Sequence, residues 1–170
     1  GLRLLRQKGI SLESKDVHGR TPLMIACRYG NAVHAKMALD EGAKITARDK
    51  AGVTPFWYVC YNYRWDHTQF ALEMAKVGFD PNEWTTPTLH PLHIAYDPKL
   101  IEYLCSLGAN VNGFEKGTKH WTPLHAAAKA GTAEQVMALL RLGGDPTIKT
   151  VPVGNTPADI ARKYGHPEHE

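Results

Sequence analysis

Nine histidines and three cysteines are the side chains of this chain best suited to bind a metal ion or attack a substrate. His90 and His93 stand three positions apart, but no third ligand accompanies them, and a zinc site needs at least three protein ligands. The cysteines Cys27, Cys60 and Cys105 show no CxxC spacing, which fits neither a zinc knot nor a disulfide framework. None of them has an evident histidine partner that would activate a thiol as a nucleophile.

Common catalytic motifs are missing as well. The sequence contains no glycine-rich phosphate loop, no HExxH and no GxSxG. We therefore expect no enzyme, no catalytic residue, no cofactor and no metal. Unpaired cysteines favour a reducing compartment, so we expect the protein in the cytoplasm.

Length and composition narrow the class of protein further. A chain of 170 residues has room for one ordinary domain or about five short repeats. Its 43% apolar and 22% charged residues are typical of a folded protein. Lys and Arg number 20 against 17 Asp and Glu, and they are scattered, so nucleic acid is not the expected partner. No apolar run is long enough to span a bilayer, so we expect no membrane insertion.

Two short phrases recur along the chain with nearly the same period. A Thr-Pro-Leu type of phrase begins at intervals of 33, 36, 32 and 34 residues, and a phrase with a glycine recurs at intervals of 33, 36, 30 and 35 residues. Two landmarks with one period indicate an array of similar units. The first phrase is TPLMIA from Thr21, TPFWYV from Thr54, HPLHIA from His90, TPLHAA from Thr122 and TPADIA from Thr156; the glycines are Gly9, Gly42, Gly78, Gly108 and Gly143.

Each unit is predicted to form two short helices. A threonine before proline can cap the first helix, because its hydroxyl accepts from free N–H groups and proline fits the first helical position. The second helix has apolar spacing, as at Val136, Leu139 and Leu140, and ends at the glycine. Thr132 followed by Gln135 predicts a capping box. Neither helix pair buries its apolar face alone, so neighbouring units must stack.

These residues carry a family resemblance. The segment TPLHAAAKAGTAEQVMALLRLGGDP, from Thr122 to Pro146, resembles an ankyrin repeat at nearly every framework position, and DVHGRTPLMIACRYGN, from Asp16, is also close. The resemblance implies an all-α, ankyrin-repeat solenoid of stacked helix-turn-helix units with projecting hairpin loops. It also implies a protein-binding surface without catalytic residues, in which His93 and His125 hydrogen-bond hairpin backbone between repeats. Cys27 and Cys60, 33 residues apart, then fill one small buried slot of the inner helices.

We divide residues 1–170 as a single domain. It comprises a partial repeat over 1–15, repeats over 16–48, 49–84, 85–116 and 117–149, and a partial C-terminal repeat over 150–170. The chain begins within a unit, so we expect an inner helix before Gly1. The last inner helix ends where an outer helix should begin, so the polar residues Arg162, Lys163 and the acidic tail form either a solvent-facing cap or the end of a truncation. We interpret the chain as a fragment of a longer protein.

Function is expected where stacking leaves side chains free, at the hairpin tips and on the exposed face of the inner helices. This face is rich in arginine and aromatic residues, the types that dominate binding energy at protein interfaces. Lys119 and Lys129 belong to it as well. We expect a partner protein with an acidic and partly apolar patch, and a monomer in its absence. The predicted partner-binding residues are Arg20, Arg28, Tyr29, Arg48, Lys50, Tyr61, Arg64, Trp84 and Trp121. The alternative is that Trp84 and Trp121 only cover neighbouring hairpins.

The middle of the chain departs from the repeat pattern. The turn of the second repeat is replaced by YNYRWDHTQF from Tyr61, with three extra residues, and the inner helix of the third repeat is cut short before Asp97 and Pro98. Asp97 and Pro98 are predicted to start the outer helix. GFEKGTKH from Gly113 is predicted to form a longer hairpin. Residues 61–67 either border a pocket that accepts a partner loop, or Tyr63 and Trp65 pack into the shortened repeat.

Three functions remain open at this point. The first is an adaptor or targeting module of a larger protein. The second is an inhibitor, such as an immunity protein that masks an enzyme or toxin with its irregular middle repeats. The third is a small-ligand receptor or enzyme that uses the notch left by the shortened third repeat.

Overall fold

The structure is a computed structural model that describes residues 11–61, 67–117, 119–130 and 132–165, without the side chains of residues 61, 67, 68, 71, 72 and 75. Within these ranges it contains eight α-helices and one 3-10 helix, and no strand. The all-α prediction is therefore confirmed. The helices are α1 (Pro22–Arg28), α2 (Ala32–Asp40), α3 (Pro55–Tyr61), α4 (His67–Lys76), the 3-10 helix (Pro91–His93), α5 (Pro98–Ser106), α6 (Pro123–Ala130), α7 (Ala133–Arg141) and α8 (Pro157–Tyr164).

A proline-led helix begins directly after the first residue of each copy of the repeated phrase. Thr21 accepts from Met24 N at 3.4 Å and Thr156 accepts from Asp159 N at 3.3 Å, as the capping prediction requires. Asp97 caps α5 by accepting from Lys99 N at 3.0 Å, which is also as predicted. The four glycines that end outer helices within the described ranges have φ between 85° and 94°, as a left-handed helix exit requires.

The hydroxyl of Thr54 does not make the predicted cap. It is buried and has no hydrogen-bond partner. The N–H of Trp57, which would bond the hydroxyl, donates instead to the Thr54 carbonyl at 3.1 Å. The tight first turn of α3 thus takes the donor that the threonine side chain needs.

Residues 1–80 and 85–87 form one compact unit, unit 1. Its inner helices α1 and α3 pack against each other, and its outer helices α2 and α4 do the same. Leu23, Phe56 and Met74 are almost fully buried, and Phe56 stacks on Phe79 with ring centroids 4.2 Å apart. Two thiols, those of Cys27 and Cys60, are also buried, and burial raises the pKa of both. Their predicted role as small packing residues is confirmed.

Residues 81–84 and 88–170 form the second compact unit, unit 2. The 3-10 helix packs on α6, α6 packs on α8, and α5 packs on α7. The third repeat has only this three-residue 3-10 helix at its inner position, so its predicted shortening is confirmed. On α7, Val136 and Leu139 are buried as predicted, whereas Leu140 lies at the surface because it points off the apolar stripe that faces α5 and α6.

Thr132 and Gln135 form only one of the two hydrogen bonds of a capping box. Thr132 accepts from Gln135 N at 3.3 Å, but the Gln135 side chain does not return to the start of its own helix. Its Nε2 instead donates to the carbonyl of Ala95 at 2.7 Å. Ala95 follows the short 3-10 helix and precedes α5, so no further helical turn supplies a donor for its carbonyl. The capping-box prediction is wrong for the side chain of Gln135, because the shortened repeat needs that donor.

Two asparagines tie successive repeats of unit 2 together beyond the helices. Asn82 donates to the carbonyl of Gly108 at 2.9 Å and accepts from Asn110 N at 2.8 Å. Asn112 does the same one repeat later, with the carbonyl of Gly143 at 3.0 Å and with the N–H of Asp145 at 2.8 Å. Stacking in unit 2 is thus reinforced by hydrogen bonds from asparagine side chains to main-chain groups at the helix exits. The division of the whole chain into a single domain stays a prediction.

Candidate functional site

His93 and His125 are used by the framework. Nε2 of His93 lies 3.0 Å from the carbonyl of Trp121, and Nε2 of His125 lies 3.2 Å from the carbonyl of Asn155. Since a carbonyl oxygen only accepts, Nε2 carries the proton in both rings. Each imidazole therefore fixes the hairpin of the following repeat, which confirms the structural role expected for it.

Burial keeps both imidazoles neutral. It lowers the pKa of His93 to about 4 and also lowers the pKa of His125. Within the part of the chain that the structure describes, no group of three or more His, Cys, Asp or Glu side chains could hold a metal ion. No helix in the same ranges is both long and apolar enough to cross a bilayer.

Two of the predicted binding arginines are bonded inside unit 1. Arg20 contacts Oδ2 of Asp16 through Nε at 2.8 Å and through Nη2 at 2.7 Å, and its guanidinium lowers the pKa of that carboxyl to about 2. Arg48 donates to the carbonyl of Gly52 at 2.7 Å. Both side chains are half-buried, so they hold the hairpins that carry them.

Arg28, Tyr29 and Lys50 are exposed. Arg28 and Tyr29 stand at the C-terminal end of α1, and 70% of the Tyr29 surface is accessible to solvent. Lys50 lies at a hairpin tip, where only its main-chain N–H is bonded to the neighbouring repeat, to the carbonyl of His18 at 3.0 Å. Of the predicted residues in unit 1 whose side chains the structure describes, these three are the exposed ones, and their contact with a partner stays a prediction.

Tyr29 also borders a cavity of about 280 Å³ between α1 and α2. The same position in the fourth repeat indicates what this face accepts, because His34 in the cavity corresponds to Gln135, 101 residues later. Gln135 donates to the main-chain carbonyl of Ala95. Because Ala95 belongs to the preceding repeat, the cavity lies on the face that receives a preceding repeat in the stack. The cavity is lined by Pro22, Ile25, Ala26, Tyr29, His34 and Ala38, among others.

Trp84 stacks on His90 in unit 2. The two ring centroids are 3.7 Å apart and the planes are inclined by 29°. The indole is half-buried against this ring, which stands in the capping position of the third repeat. The described contacts of Trp84 therefore include a structural one, and its part in partner binding stays a prediction.

Trp121 lies at the centre of a second group of exposed cations and rings. The indole packs on the buried residues Ala128, Ile160 and Ala161. Nζ of Lys129 lies 5.6 Å from the centroid of the Trp121 ring and 5.4 Å from that of Tyr164. Lys119 places its own Nζ 6.0 Å from Trp121. A cavity of about 180 Å³ opens beside these rings; this Trp121 pocket is lined by Lys119, Trp121, Val151, Val153, Lys163 and Tyr164, among others.

Lys163 and Tyr164 were not among the residues expected to bind a partner. A positional signal could have identified them, since they follow Thr156 by the same seven and eight positions that separate Arg28 and Tyr29 from Thr21. The Tyr61 side chain and the whole of Arg64, Tyr63 and Trp65 lie outside the described residues, so the predictions for them are not tested.

The comparisons with known proteins agree with this architecture. A model of the ankyrin repeat matches residues 18–50 and 119–151. The ARF GTPase-activating protein GIT1 of Homo sapiens is 52% identical over 67 residues, which cover 38% of this chain and 8% of that protein. Transient receptor potential cation channel subfamily A member 1 of Drosophila melanogaster is 29% identical over 152 residues, covering 82% of this chain and 12% of the relative. Rabankyrin-5 of Mus musculus is 27% identical over 146 residues, covering 84% and 12%.

The chain thus spans 8–12% of the length of these relatives. Ankyrin repeats generally mediate protein–protein interactions and are generally non-catalytic. The repeated phrases, the stacked helix pairs and the two matched repeats lead to one conclusion. The chain belongs to the ankyrin-repeat family.

Proposed function

We propose that this chain binds a partner protein through the exposed edge formed by Arg28 and Tyr29 in unit 1. The observation that carries the proposal is the placement of Tyr29, which is 70% exposed at the end of α1. An exposed tyrosine combines contact area with a hydroxyl, as binding hot spots do. The partner it suits has an apolar side chain for the Tyr29 ring and an acidic group for Arg28.

These two side chains are not part of the buried face of α1. Leu23, Met24 and Cys27 form the buried face of α1, whereas Arg28 and Tyr29 project away from it. Arg20 and Arg48 differ in this respect, because each holds its own hairpin. The acidic and partly apolar partner therefore meets Arg28 and Tyr29 first, and Lys50 extends the positive charge of this edge.

The biological setting follows from the same proposal. The relatives are long proteins that share this region, which supports an adaptor or targeting module. We place it in the cytoplasm, since the described cysteines are free thiols, and as a monomer when no partner is bound. The inhibitor and ligand-receptor hypotheses rest on the segment that starts at Tyr61, where residues 62–66 lie outside the described residues, and they stay predictions.

The test compares variants in partner binding and in stability. Arg28→Ala and Tyr29→Ala should each weaken binding of a captured partner by ~1–3 kcal/mol while the melting temperature changes little. Met137→Ala, an exposed apolar residue on α7, is the control and should leave binding unchanged. If the two variants lose stability and binding in equal measure, the side chains belong to the core and the proposal fails.

A further inference from the structure

We propose that the Trp121 pocket of unit 2 is a second binding site, which takes an acidic side chain next to an aliphatic one from a peptide segment of a partner protein. This inference rests on the proposed protein-binding function and adds the chemistry of the ligand. It concerns a surface within unit 2 alone, so it can be tested apart from the Arg28–Tyr29 edge.

Three lysines give the pocket its charge. Lys119 and Lys163 line the cavity, and Lys129 stands over the rings at its edge. Among the described residues, none of these three ammonium groups forms an ion pair with a carboxylate. The carboxylate of Asp159 on the same helix as Lys163 is already bonded to the main chain and hydroxyl of Thr156 and to Arg162. The pocket therefore has positive charge that a partner carboxylate can complement.

The rings hold this charge in a defined place. Lys129 Nζ lies within 6 Å of both the Trp121 and the Tyr164 centroids, the range of a cation–π contact. Trp121 is itself fixed by its packing on buried Ala128, Ile160 and Ala161. Because a ring face satisfies only one side of an ammonium group, its N–H donors remain available for a carboxylate. The site is thus pre-organised before a ligand arrives.

The valines on one side of the pocket indicate that the ligand also has an aliphatic part. Val151 and Val153 line the cavity and are 45% and 74% exposed, so they form an apolar wall that a ligand can reach. A volume of about 180 Å³ is small beside the cavities that enclose whole cofactors and suits one or two side chains. Lysines around an apolar wall of this size fit an acidic peptide better than a nucleotide or a nucleic-acid backbone.

The test is a titration of the full chain followed by the indole N–H signals of its four tryptophans in a 1H–15N NMR spectrum. The probe is the peptide acetyl-Glu-Leu-Glu-Leu-Glu-amide, with the matched Gln-Leu-Gln-Leu-Gln peptide as its control. The Trp121 signal, assigned with Trp121→Phe, should shift and saturate with the Glu peptide. The Gln peptide should bind at least tenfold more weakly, and added salt should weaken the Glu peptide.

Lys129→Gln should weaken the Glu peptide at least fivefold. Lys99→Gln removes the same charge from an exposed lysine on α5 outside the pocket and should change the affinity less than twofold. Equal binding of both peptides, or no effect of Lys129→Gln, overturns the proposal. It is also overturned if inorganic phosphate or phosphatidylserine vesicles shift Trp121 while the Glu peptide does not. The double variant Glu168→Gln/Glu170→Gln gives one more outcome. If its Trp121 signal is shifted in the absence of peptide, and the unchanged chain does not bind the Glu peptide, the proposal is also overturned.

Failure of this site and failure of the proposed function give different results. If the Glu peptide does not bind while Arg28→Ala and Tyr29→Ala release a captured partner, the proposal for the Trp121 pocket is refuted and the proposed function is retained. If the Glu peptide binds at Trp121 but neither of those variants affects any partner, binding through the Arg28–Tyr29 edge is refuted and the proposal for the pocket is retained.

Discussion

The hydroxyl oxygen of Thr122 lies 2.8 Å from Nδ1 of the buried His125, and the N–H of Thr122 donates to the same ring nitrogen at 3.2 Å. With Nε2 at the carbonyl of Asn155, both ring nitrogens of His125 are bonded. One repeat earlier, Nδ1 of His93 is buried without a partner, and the residue three positions before it is His90, which has no hydroxyl to offer. The two buried imidazoles are therefore satisfied differently.

The first prediction concerns the threonine hydroxyl. Thr122→Val keeps the shape of the side chain but removes the group that bonds His125 Nδ1 and accepts from His125 N. We expect it to lower the free energy of unfolding by ~0.5–1.5 kcal/mol, the net contribution of a typical hydrogen bond, because the N–H of residue 122 still donates to Nδ1. Urea unfolding monitored by circular dichroism measures this change.

Thr54→Val is the matched control. Thr54 occupies the equivalent position and is equally buried, but its hydroxyl has no hydrogen-bond partner. Removing that hydroxyl should leave the stability within about 0.5 kcal/mol or raise it, since an unpaired polar group leaves the interior. Equal losses in Thr122→Val and Thr54→Val would mean that the hydroxyl contact with His125 contributes nothing.

The second prediction is a loss of stability in mild acid. Burial lowers the pKa of His93 to about 4, against the ordinary value of 6.5 for histidine, so between these values the unfolded chain binds a proton that the folded chain does not. Stability is complete above about pH 6.5 and falls as the pH drops toward 4. At pH 5 the loss is on the order of 2 kcal/mol for this histidine. The lowered pKa of His125 acts in the same direction.

Urea midpoints at pH 7 and pH 5 check this, together with an NMR titration of the imidazoles. The His93 ring should stay neutral down to pH 5 in the folded chain. His93→Gln should flatten the pH dependence, and His18→Gln, which changes an exposed histidine of unit 1, controls for loss of a histidine elsewhere. A His93 signal that titrates near pH 6.5 would contradict the prediction.

Features that depend on residues close together in one helix, such as helix caps, could be predicted from the sequence. Thr21 and Thr156 cap their helices because the cap needs only groups within four residues of one another. Arg20 is different, because its partner Asp16 lies four residues away in a hairpin, where helical spacing rules do not apply. The bonding of Arg20 therefore becomes clear only when the hairpin is seen. The partner of Gln135, Ala95, is 40 residues away and depends on a shortening in another repeat.

The third prediction separates core from surface on two helices of unit 2. Leu124 on α6 and Leu139 on α7 are 2% and 0% exposed. Leu124→Ala or Leu139→Ala should cost ~2–5 kcal/mol of unfolding free energy, because each leaves a cavity in the packed layer between helices. Leu140→Ala, next to Leu139 but at the surface, should cost less than about 1 kcal/mol. Similar losses at positions 139 and 140 would show that the apolar stripe of α7 is assigned wrongly.

The last prediction uses Gln135 as a probe of the shortened repeat. Its Nε2 donates to the carbonyl of Ala95 at 2.7 Å, and the side chain is almost fully buried. Gln135→Glu replaces this donor by a carboxylate that faces a carbonyl oxygen, so the charged form is disfavoured and the pKa of the new glutamate rises. We expect a loss of more than about 2 kcal/mol at pH 7.

That loss should shrink as the pH is lowered, because the protonated glutamate can donate to Ala95 again. A group whose folded pKa is raised contributes stability below that pKa, so the difference in unfolding free energy between Gln135→Glu and the unchanged chain falls from pH 7 to pH 5. Protonation of His93 destabilises both chains to the same extent as the pH is lowered, so its effect cancels in this difference. Met137→Glu adds the same charge to an exposed position of α7 and should show a small difference that does not change with pH in this way. If Gln135→Glu is equally destabilised at both values of pH, the hydrogen bond to Ala95 is not what holds the third and fourth repeats together.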